Sequence, residues 1–259
     1  MTTTKKSGKR VFSEIWVMCK RCLLTSLRNP DALLTAILVP AGVMWLFGTL
    51  YGSIVDVGDY NYIDFIVPGI ILQTVAQGAT ATAICVNNDM TKGIIDRFRS
   101  MAIARSSVLT GHVVASIARN MITAAVAIAV AIAMGFRPQA GFLDWLTVVG
   151  VLLLFILSIT WIAVISGLIA KTPESAGSMV FPLFILPYLS SGFAPTESMS
   201  GWFKWFAENQ PMSPVIDSMR DLFMSTPTGS TLPIAVAWSV GIIIVAFTIA
   251  VQIFKRKLV

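Results

Sequence analysis

The chain has 259 residues, of which 56% are hydrophobic and only 12% carry a charge. A soluble domain carries about 25% charged residues, because its surface must face water, so the composition excludes an ordinary soluble domain. The net charge of +6 is confined to short segments between long uncharged stretches. This pattern lacks the continuous basic face of a nucleic-acid-binding domain. The sequence therefore predicts an all-α integral membrane protein.

The N-terminal segment, residues 1–30, is predicted to be a cytoplasmic tail followed by an interfacial helix. No apolar run or small-residue cleavage site follows Met1 within the reach of a signal peptide, so we expect insertion without a cleaved signal. Apolar residues then recur at helical spacing, which is typical of an amphipathic helix in the membrane interface. Such a helix can be a simple anchor or a lever over a cytoplasmic partner. These apolar positions are Phe12, Trp16, Cys19, Leu23 and Leu27.

Six segments are apolar over about the 20 residues that a helix needs to cross the hydrocarbon core. We expect a single transmembrane domain over residues 1–259, with kinks at the prolines inside the spans, where neighbouring helices must satisfy the freed backbone groups. The predicted spans are 32–51, 63–86, 113–134, 145–170, 176–193 and 232–254, and the prolines are Pro40, Pro68, Pro182 and Pro187.

Lysine and arginine predict the orientation, because cytoplasmic loops carry an excess of both. The predicted outer side holds only Arg137, Lys204 and Arg220. Both termini and the even-numbered loops are therefore predicted to be cytoplasmic. The basic residues of that side are Lys5, Lys6, Lys9, Arg10, Lys20, Arg21, Arg28, Lys92, Arg97, Arg99, Arg105, Lys171, Lys255, Arg256 and Lys257.

The predicted cytoplasmic loop 87–112 is longer than a hairpin between two helices requires. Its apolar residues follow helical spacing, whereas its charged residues point elsewhere. A short amphipathic helix of this kind can dock into a groove of another protein; the alternative is a solvated, positively charged loop. The apolar positions are Ile94, Ile95, Phe98 and Met101, and the charged ones are Asp96, Arg97 and Arg99.

The predicted outer loop 194–231 begins with a dense aromatic run, Trp202, Phe203, Trp205 and Phe206. These rings suit the membrane interface, so an aromatic belt is one interpretation. A re-entrant lid over a pathway is the other, and the length of the loop favours it. Ser213 followed by Pro214 predicts the start of a short helix that reaches Met224, because Ser is a good N-cap and Pro suits the first turn.

Several polar residues lie inside the predicted spans. Gln73 and Gln77 are one turn apart and share a helix face, which should point to protein or to a water-filled path. Interhelical hydrogen bonding is the simpler interpretation. Arg119 lies about 9 Å into its span at 1.5 Å per residue, and snorkelling to the cytoplasmic interface would explain it. The remaining polar positions are Ser158, Thr160, Ser190 and Ser191.

No enzyme motif is visible. The chain has no GxxxxGK[ST] phosphate loop, HExxH or GxSxG, so it should bind no ATP in the usual way. The CxxC of Cys19 and Cys22 lacks a partner pair and fits an apolar helix surface, and His112 has no obvious triad. A secondary transporter would carry paired broken helices or midplane acids, and no acid lies well inside a predicted span. We expect no catalytic, cofactor-binding or metal-binding residues.

Three segments together resemble a known family. They are Tyr62–Gly69 at the start of the second span, Gly93–Gly111 in the cytoplasmic loop, and Ser190–Pro195 followed by Met199, Trp202 and Asn209–Pro211. In order and spacing the chain resembles permeases of the type 2 ATP-binding-cassette exporters, close to the daunorubicin-resistance permease subfamily. It departs where the family usually has proline, at Ala102 and often at Ser200.

The resemblance implies an export permease in the plasma membrane, whose cargo is an amphipathic drug, a lipid or a glycan. A second permease copy, identical or not, would pair with it, and separate ATPase subunits would bind ATP and magnesium. A non-transporting assembly or sensory component is the alternative. The ATPase-coupling residues would be Gly93, Asp96, Arg97, Phe98, Arg99 and Ser100, and the path or gate residues Gln73, Gln77, Ser190, Ser191, Phe193, Trp202 and Phe206.

Overall fold

The computed structural model describes residues 30–55, 57, 61–91 and 105–257, and regular secondary structure within these ranges is entirely helical. Residues 1–29 and 92–104 lie outside them, so the predicted interfacial and coupling helices stay predictions. The α-helices are α1 (Pro30–Tyr51), α2 (Tyr62–Thr91), α3 (Arg105–Ala133), α4 (Phe142–Ile169), α5 (Pro173–Ile185), α6 (Gly201–Asn209), α7 (Met212–Phe223) and α8 (Thr231–Lys257), with 3₁₀ helices η1 (Leu186–Leu189) and η2 (Thr196–Ser198) between α5 and α6.

Four of the described helices are long and apolar enough to cross a membrane. They are α2, the part of α3 from Leu109, α4, and α8 as far as Phe254. The apolar part of α1, Ile37–Tyr51, is shorter, and α5 has 13 residues. These four helices correspond to the predicted second, third, fourth and sixth spans.

Helix α2 lies at the centre of the fold. It packs against α1, α3, α4, α5 and α7, and 20 of its 30 residues are buried. By contrast, α1, α4 and α8 leave large apolar side chains exposed, among them Leu38, Leu146 and Ile244. Exposed apolar faces of this extent suit a lipid surround, whereas water would disfavour them.

The predicted fifth span is divided in the structure. Thr172 caps α5 by accepting from the Ser175 amide at 3.2 Å, and the α-helix ends at Ile185, where the four residues of η1 begin. Pro187 has no N–H to donate to the carbonyl four residues earlier, so the α-helical ladder cannot continue through it. Residues 190–193 then form a buried turn.

The predicted cytoplasmic loop is shorter than 87–112, because α2 continues to Thr91 and α3 starts at Arg105. Asp89 and His112, which were placed in the loop, are buried helical residues. The polar character of residues 87–91 hid this extension of α2. Only residues 92–104 connect the two helices.

The predicted cap of α7 is wrong. The helix starts at Met212 after Pro211, and no side chain caps it. Ser213 lies inside the first turn, where its hydroxyl donates to the carbonyl of Ala207 in α6. Ser213 therefore joins α7 to α6 instead of closing the N-terminus of α7.

Candidate functional site

Tyr188 of η1 brings together several of the predicted gate residues. Its hydroxyl accepts a hydrogen bond from the Gln73 amide of α2, and its ring stacks on Phe193 with centroids 4.7 Å apart. Phe47 of α1 packs on Phe193 at 4.8 Å and on Tyr188 at 6.2 Å. We call Phe47, Tyr188 and Phe193 the aromatic cluster. It closes the space between α1, α2 and the turn after η1.

The turn after η1 touches the backbone of α2 directly. The Tyr62 hydroxyl donates to the Phe193 carbonyl at 2.8 Å. A Cβ added to Gly69 would lie 2.7 Å from the Gly192 carbonyl oxygen, a separation that packing does not tolerate. The turn keeps its shape because the Ser190 hydroxyl accepts from the Gly192 amide at 3.0 Å. Only glycine at 69 permits this contact.

Arg220 of α7 joins the same turn to α2. Its guanidinium donates to the carbonyls of Phe65, at 3.2 Å, and Ser191. It also pairs with the Asp217 carboxylate at 2.6 Å. The side chain is about nine-tenths buried, so a counter-charge and carbonyl acceptors are what make its charge tolerable there. Arg220 therefore fixes α7 against the turn.

Three buried polar oxygens of this region accept no hydrogen bond within the described part of the chain. They are the side-chain oxygens of Gln73, Ser191 and Gln210. An unsatisfied buried acceptor costs about 1–3 kcal/mol. The contacts around the aromatic cluster therefore carry a cost that an added hydrogen-bond donor, such as water, would relieve.

The other predicted gate residues lie apart from the cluster. Gln77 is half-buried one turn further along α2. Trp202 and Phe206 stack on each other in α6, with centroids 5.5 Å apart, and Trp202 is 63% exposed. The structure thus brings together Gln73, Ser190, Ser191 and Phe193 and leaves the aromatic pair of α6 at the surface. The coupling residues Gly93, Asp96, Arg97, Phe98, Arg99 and Ser100 lie outside the described residues.

Arg119 of α3 binds α2 instead of reaching the end of its own helix that was predicted to be cytoplasmic. Its guanidinium donates to the Gly78 carbonyl of α2 at 3.0 Å and to the Thr82 hydroxyl. Gly78 is about 20 Å from the end of α2 at 1.5 Å per residue. The same region holds a chain of hydroxyls in which Ser116 contacts Thr82 at 2.9 Å and Thr160 at 3.0 Å. Arg119 is therefore part of an interhelical polar network in the middle of the fold.

A second polar group, at the other end of α2, was missed by the sequence reasoning. The Asp89 carboxylate lies 3.1 Å from the His112 Nε2 of α3, and both side chains are more than nine-tenths buried. The Asn87 amide donates to the carbonyls of Gly167, at 3.1 Å, and Ala170, at 2.7 Å, where α4 ends. The signal in the sequence was that Asn87 and Asp89, both polar, directly follow the apolar part of α2.

No metal site is formed by the residues that the structure describes, since they contain no group of three or more His, Cys, Asp or Glu side chains placed for one. The chemistry of these groups is hydrogen bonding and ion pairing between helices. Their arrangement holds neighbouring helices together.

Comparison with known proteins gives one consistent result. A sequence model of the ABC-2 type transporter family matches residues 13–224. The chain is 26% identical over 238 residues to the daunorubicin resistance ABC transporter permease protein DrrB1 of Streptomyces coeruleorubidus, covering 92% of this chain and 84% of that protein. It is 24% identical over 246 residues to the probable doxorubicin resistance ABC transporter permease protein DrrC of Mycobacterium tuberculosis, covering 93% and 88%. The putative transport permease ycf38 of Cyanophora paradoxa is 23% identical over 215 residues, with coverage of 81% and 74%.

Proposed function

The chain belongs to the ABC-2 type transporter family and is a transmembrane subunit of an ABC transporter, and from this premise we propose that it is the permease of an ATP-driven exporter. Its cargo is an amphipathic drug, a lipid or a glycan, moved out of the cytoplasm. The observation that carries the proposal is the family match, which extends over α1 to α7. The names of two relatives, both drug-resistance permeases, support an amphipathic cargo.

The proposed permease crosses the plasma membrane six times, as one domain, with both termini in the cytoplasm. Four long apolar helices support this count. The other two crossings are α1, whose 22 residues extend about 33 Å, and α5 with η1, which together extend about 28 Å. Both lengths approach the roughly 30 Å of the hydrocarbon core.

Two ATPase subunits, which bind ATP and magnesium, contact the permease at residues 92–104 and at the N-terminal segment. A second permease copy completes the exporter. The permease itself contributes no nucleotide site. The proposed coupling residues are Gly93, Asp96, Arg97, Phe98, Arg99 and Ser100, which lie between α2 and α3.

The proposed outer gate is the contact between α2 and residues 186–193. Gln73 and Phe193 lie at this contact, where the aromatic cluster fills the space and the Tyr62 hydroxyl binds the Phe193 carbonyl. The unsatisfied oxygens of Gln73 and Ser191 lower the cost of separating the two sides. Cargo leaves when α2 and the turn move apart. Gln77 extends the path one turn inward, and Trp202 and Phe206 form its rim.

Reconstitution with the candidate ATPase tests the export function. Proteoliposomes that contain both proteins should accumulate a fluorescent amphipathic drug in an ATP-dependent manner. Replacing Asp96, Arg97 and Arg99 together by alanine should abolish transport while membrane insertion persists. Transport that survives the triple change removes the coupling role. Assembly without any cargo movement would support the alternative of a non-transporting component.

A cysteine pair tests the gate. In a background with Cys19, Cys22 and Cys85 replaced by alanine, a bifunctional methanethiosulfonate cross-linker should join Tyr62→Cys to Phe193→Cys and stop export, and a reductant should restore export. The cross-linker replaces a direct disulfide because the contact runs from the tip of a long side chain to a main-chain carbonyl. Each single variant treated with the cross-linker is the control. If the cross-linked pair exports at the control rate, this contact is not the gate.

Labelling of intact cells tests the orientation. In the same cysteine-free background, Ser230→Cys at the start of α8 should react with a membrane-impermeant maleimide, whereas Lys92→Cys should react only after permeabilisation. Labelling of Lys92→Cys from outside would reverse the proposed topology.

A further inference from the structure

We propose that Asp89 and His112 are positioning residues for coupling, which fasten the ends of α2 and α3 to each other on either side of the 92–104 connection. When the ATPase displaces that connection, the membrane helices then move with it, and the displacement is not lost by deformation of the helix ends. This inference rests on the proposed function, in which the connection contacts the ATPase.

The location of the pair supports this role. Asp89 is in the last turn of α2, two residues before its end at Thr91. His112 is seven residues into α3, about 10 Å from its start. Their side-chain atoms lie 3.1 Å apart. The pair therefore joins the two helices close to the connection.

Helix α4 is fastened to the same end of α2. Asn87 donates to the carbonyls of Gly167 and Ala170, the last acceptors of α4. Backbone packing is tight there, since a Cβ on Gly167 would lie 2.6 Å from the Ala83 carbonyl oxygen and 2.8 Å from the Val86 Cβ. The ends of α2, α3 and α4 are therefore held as one body.

A polar pair serves this purpose better than apolar packing. Apolar packing resists separation, but the van der Waals attraction between helices in lipid has no direction and permits one helix to slide along another. A buried carboxylate is costly unless its polar contact is kept, so the contact with the imidazole selects one register of the two helices. The Asp89–His112 contact therefore restrains sliding of α2 against α3. Such sliding would reduce the movement that the ATPase transmits to the membrane helices.

Transport per ATP hydrolysed is the measurement that isolates this role. Asp89→Asn and His112→Gln approximately keep the size of each side chain but remove the contact between carboxylate and imidazole. In proteoliposomes with the ATPase, each variant should still assemble and hydrolyse ATP, while cargo moved per ATP falls at least fivefold. The exchanged pair, Asp89→His with His112→Asp, should recover at least half of the wild-type ratio.

Ser116→Ala is the matched control. It removes contacts between α2 and α3 about one turn deeper, where Ser116 meets Thr82 at 2.9 Å. The control should lower the melting temperature of the complex without changing cargo per ATP. This result would separate positioning at the connection from general helix packing.

Two results would overturn the inference. Either Asp89→Asn and His112→Gln keep the wild-type ratio of cargo to ATP, or Ser116→Ala lowers it as much as they do. In both cases wild-type export stands and the proposed function is untouched. If the wild-type complex shows no ATP-dependent export, the proposed function fails first, and this inference fails with it.

Discussion

The guanidinium carbon of Arg220 lies 3.8 Å from the centre of the Phe65 ring, so a buried cation of α7 rests on the first turn of α2. The ring face is electron-rich and attracts the cation, an effect that strengthens when water is excluded. The same guanidinium binds the carbonyls of Phe65 and Ser191. One side chain thereby sets the position of α7 against both sides of the proposed gate.

Arg220→Lys should destabilise the protein by about 3 kcal/mol, because an ammonium keeps the charge but cannot reach three acceptors in the geometry of the planar fork. The melting temperature of the detergent-purified protein measures this loss. Arg137→Lys is the matched control, since the Arg137 side chain is exposed and should tolerate the change. Equal melting temperatures for the two variants would contradict the role of Arg220.

Gly69→Ala should open the contact between α2 and the turn after η1. The added Cβ would lie 2.7 Å from the Gly192 carbonyl oxygen, and backbone cannot give way as a flexible side chain can, so a cost of about 1–3 kcal/mol is expected. Thermal unfolding measures the cost. Because this contact closes the proposed gate, the closed form of the same variant should also become leaky.

The same substitution at Gly150 is the control for Gly69→Ala. A Cβ there meets nothing within 4 Å, so Gly150→Ala should be neutral, or stabilising by about 0.5–1 kcal/mol through helix propensity. If Gly69→Ala is as stable as Gly150→Ala, the close approach of Gly69 and Gly192 has no energetic weight.

Asn87→Asp should destabilise the protein by about 2–3 kcal/mol although the side chain keeps its shape. The amide donates to two carbonyls of α4, and a carboxylate would place oxygen against oxygen at a buried site. Chemical or thermal unfolding measures the loss. Asn209→Asp makes the same change on the surface of α6, where water can replace the lost bond, and should cost much less. A similar loss for both variants would count against the Asn87 contacts.

Asp221 of α7 should make stability depend on pH. Burial raises the pKa of its carboxyl above the ordinary 3.8, and Asp217 raises it further, against weaker opposing effects of Thr231, Arg220 and Thr226. A raised folded-state pKa means that the folded protein holds the proton more tightly than the unfolded chain. The carboxylate therefore costs no stability below the ordinary pKa, and the full cost is present above the raised pKa.

Asp221→Asn should remove that cost. Melting temperatures of variant and wild type should coincide near pH 3, below the ordinary pKa, and diverge as the pH rises, with the variant more stable at pH 7. Glu208→Gln, at an exposed carboxyl of α6, should show no such divergence. A variant that is less stable than the wild type at pH 7 would show that the Asp221 charge is favourable, contrary to its burial.

The sequence was informative wherever lipid is the solvent. In hydrocarbon every backbone polar group must be satisfied internally, so a long apolar run has almost no choice but a helix. The runs that became α2, α4 and α8 were therefore predictable, with errors of a few residues at their ends. The fifth run was harder, because Pro187 allowed a 3₁₀ turn and a reversal inside a segment of uniform hydropathy.

The contacts between helices were not predictable in the same way. Gln73 was expected to face protein or a water-filled path, and it is buried against protein, but nothing in the sequence pairs it with Tyr188, 115 residues away. Arg220 was counted as an outer loop charge, whereas it is buried between α2 and the turn. In a bilayer, the lipid-facing and the protein-facing sides of a helix are both mainly apolar, whereas in water only the buried side is. The sequence therefore does not show which helix faces contact each other, and the structure is needed to identify them.

The narrowest approach between α2 and the turn after η1 joins Gly69 to Gly192 through main-chain atoms. A seal made by peptide backbone does not depend on which side chains surround it. In the proposed exporter, mutation can therefore reshape the neighbouring positions, and with them the range of molecules accepted, while the main-chain contact between Gly69 and Gly192 is kept.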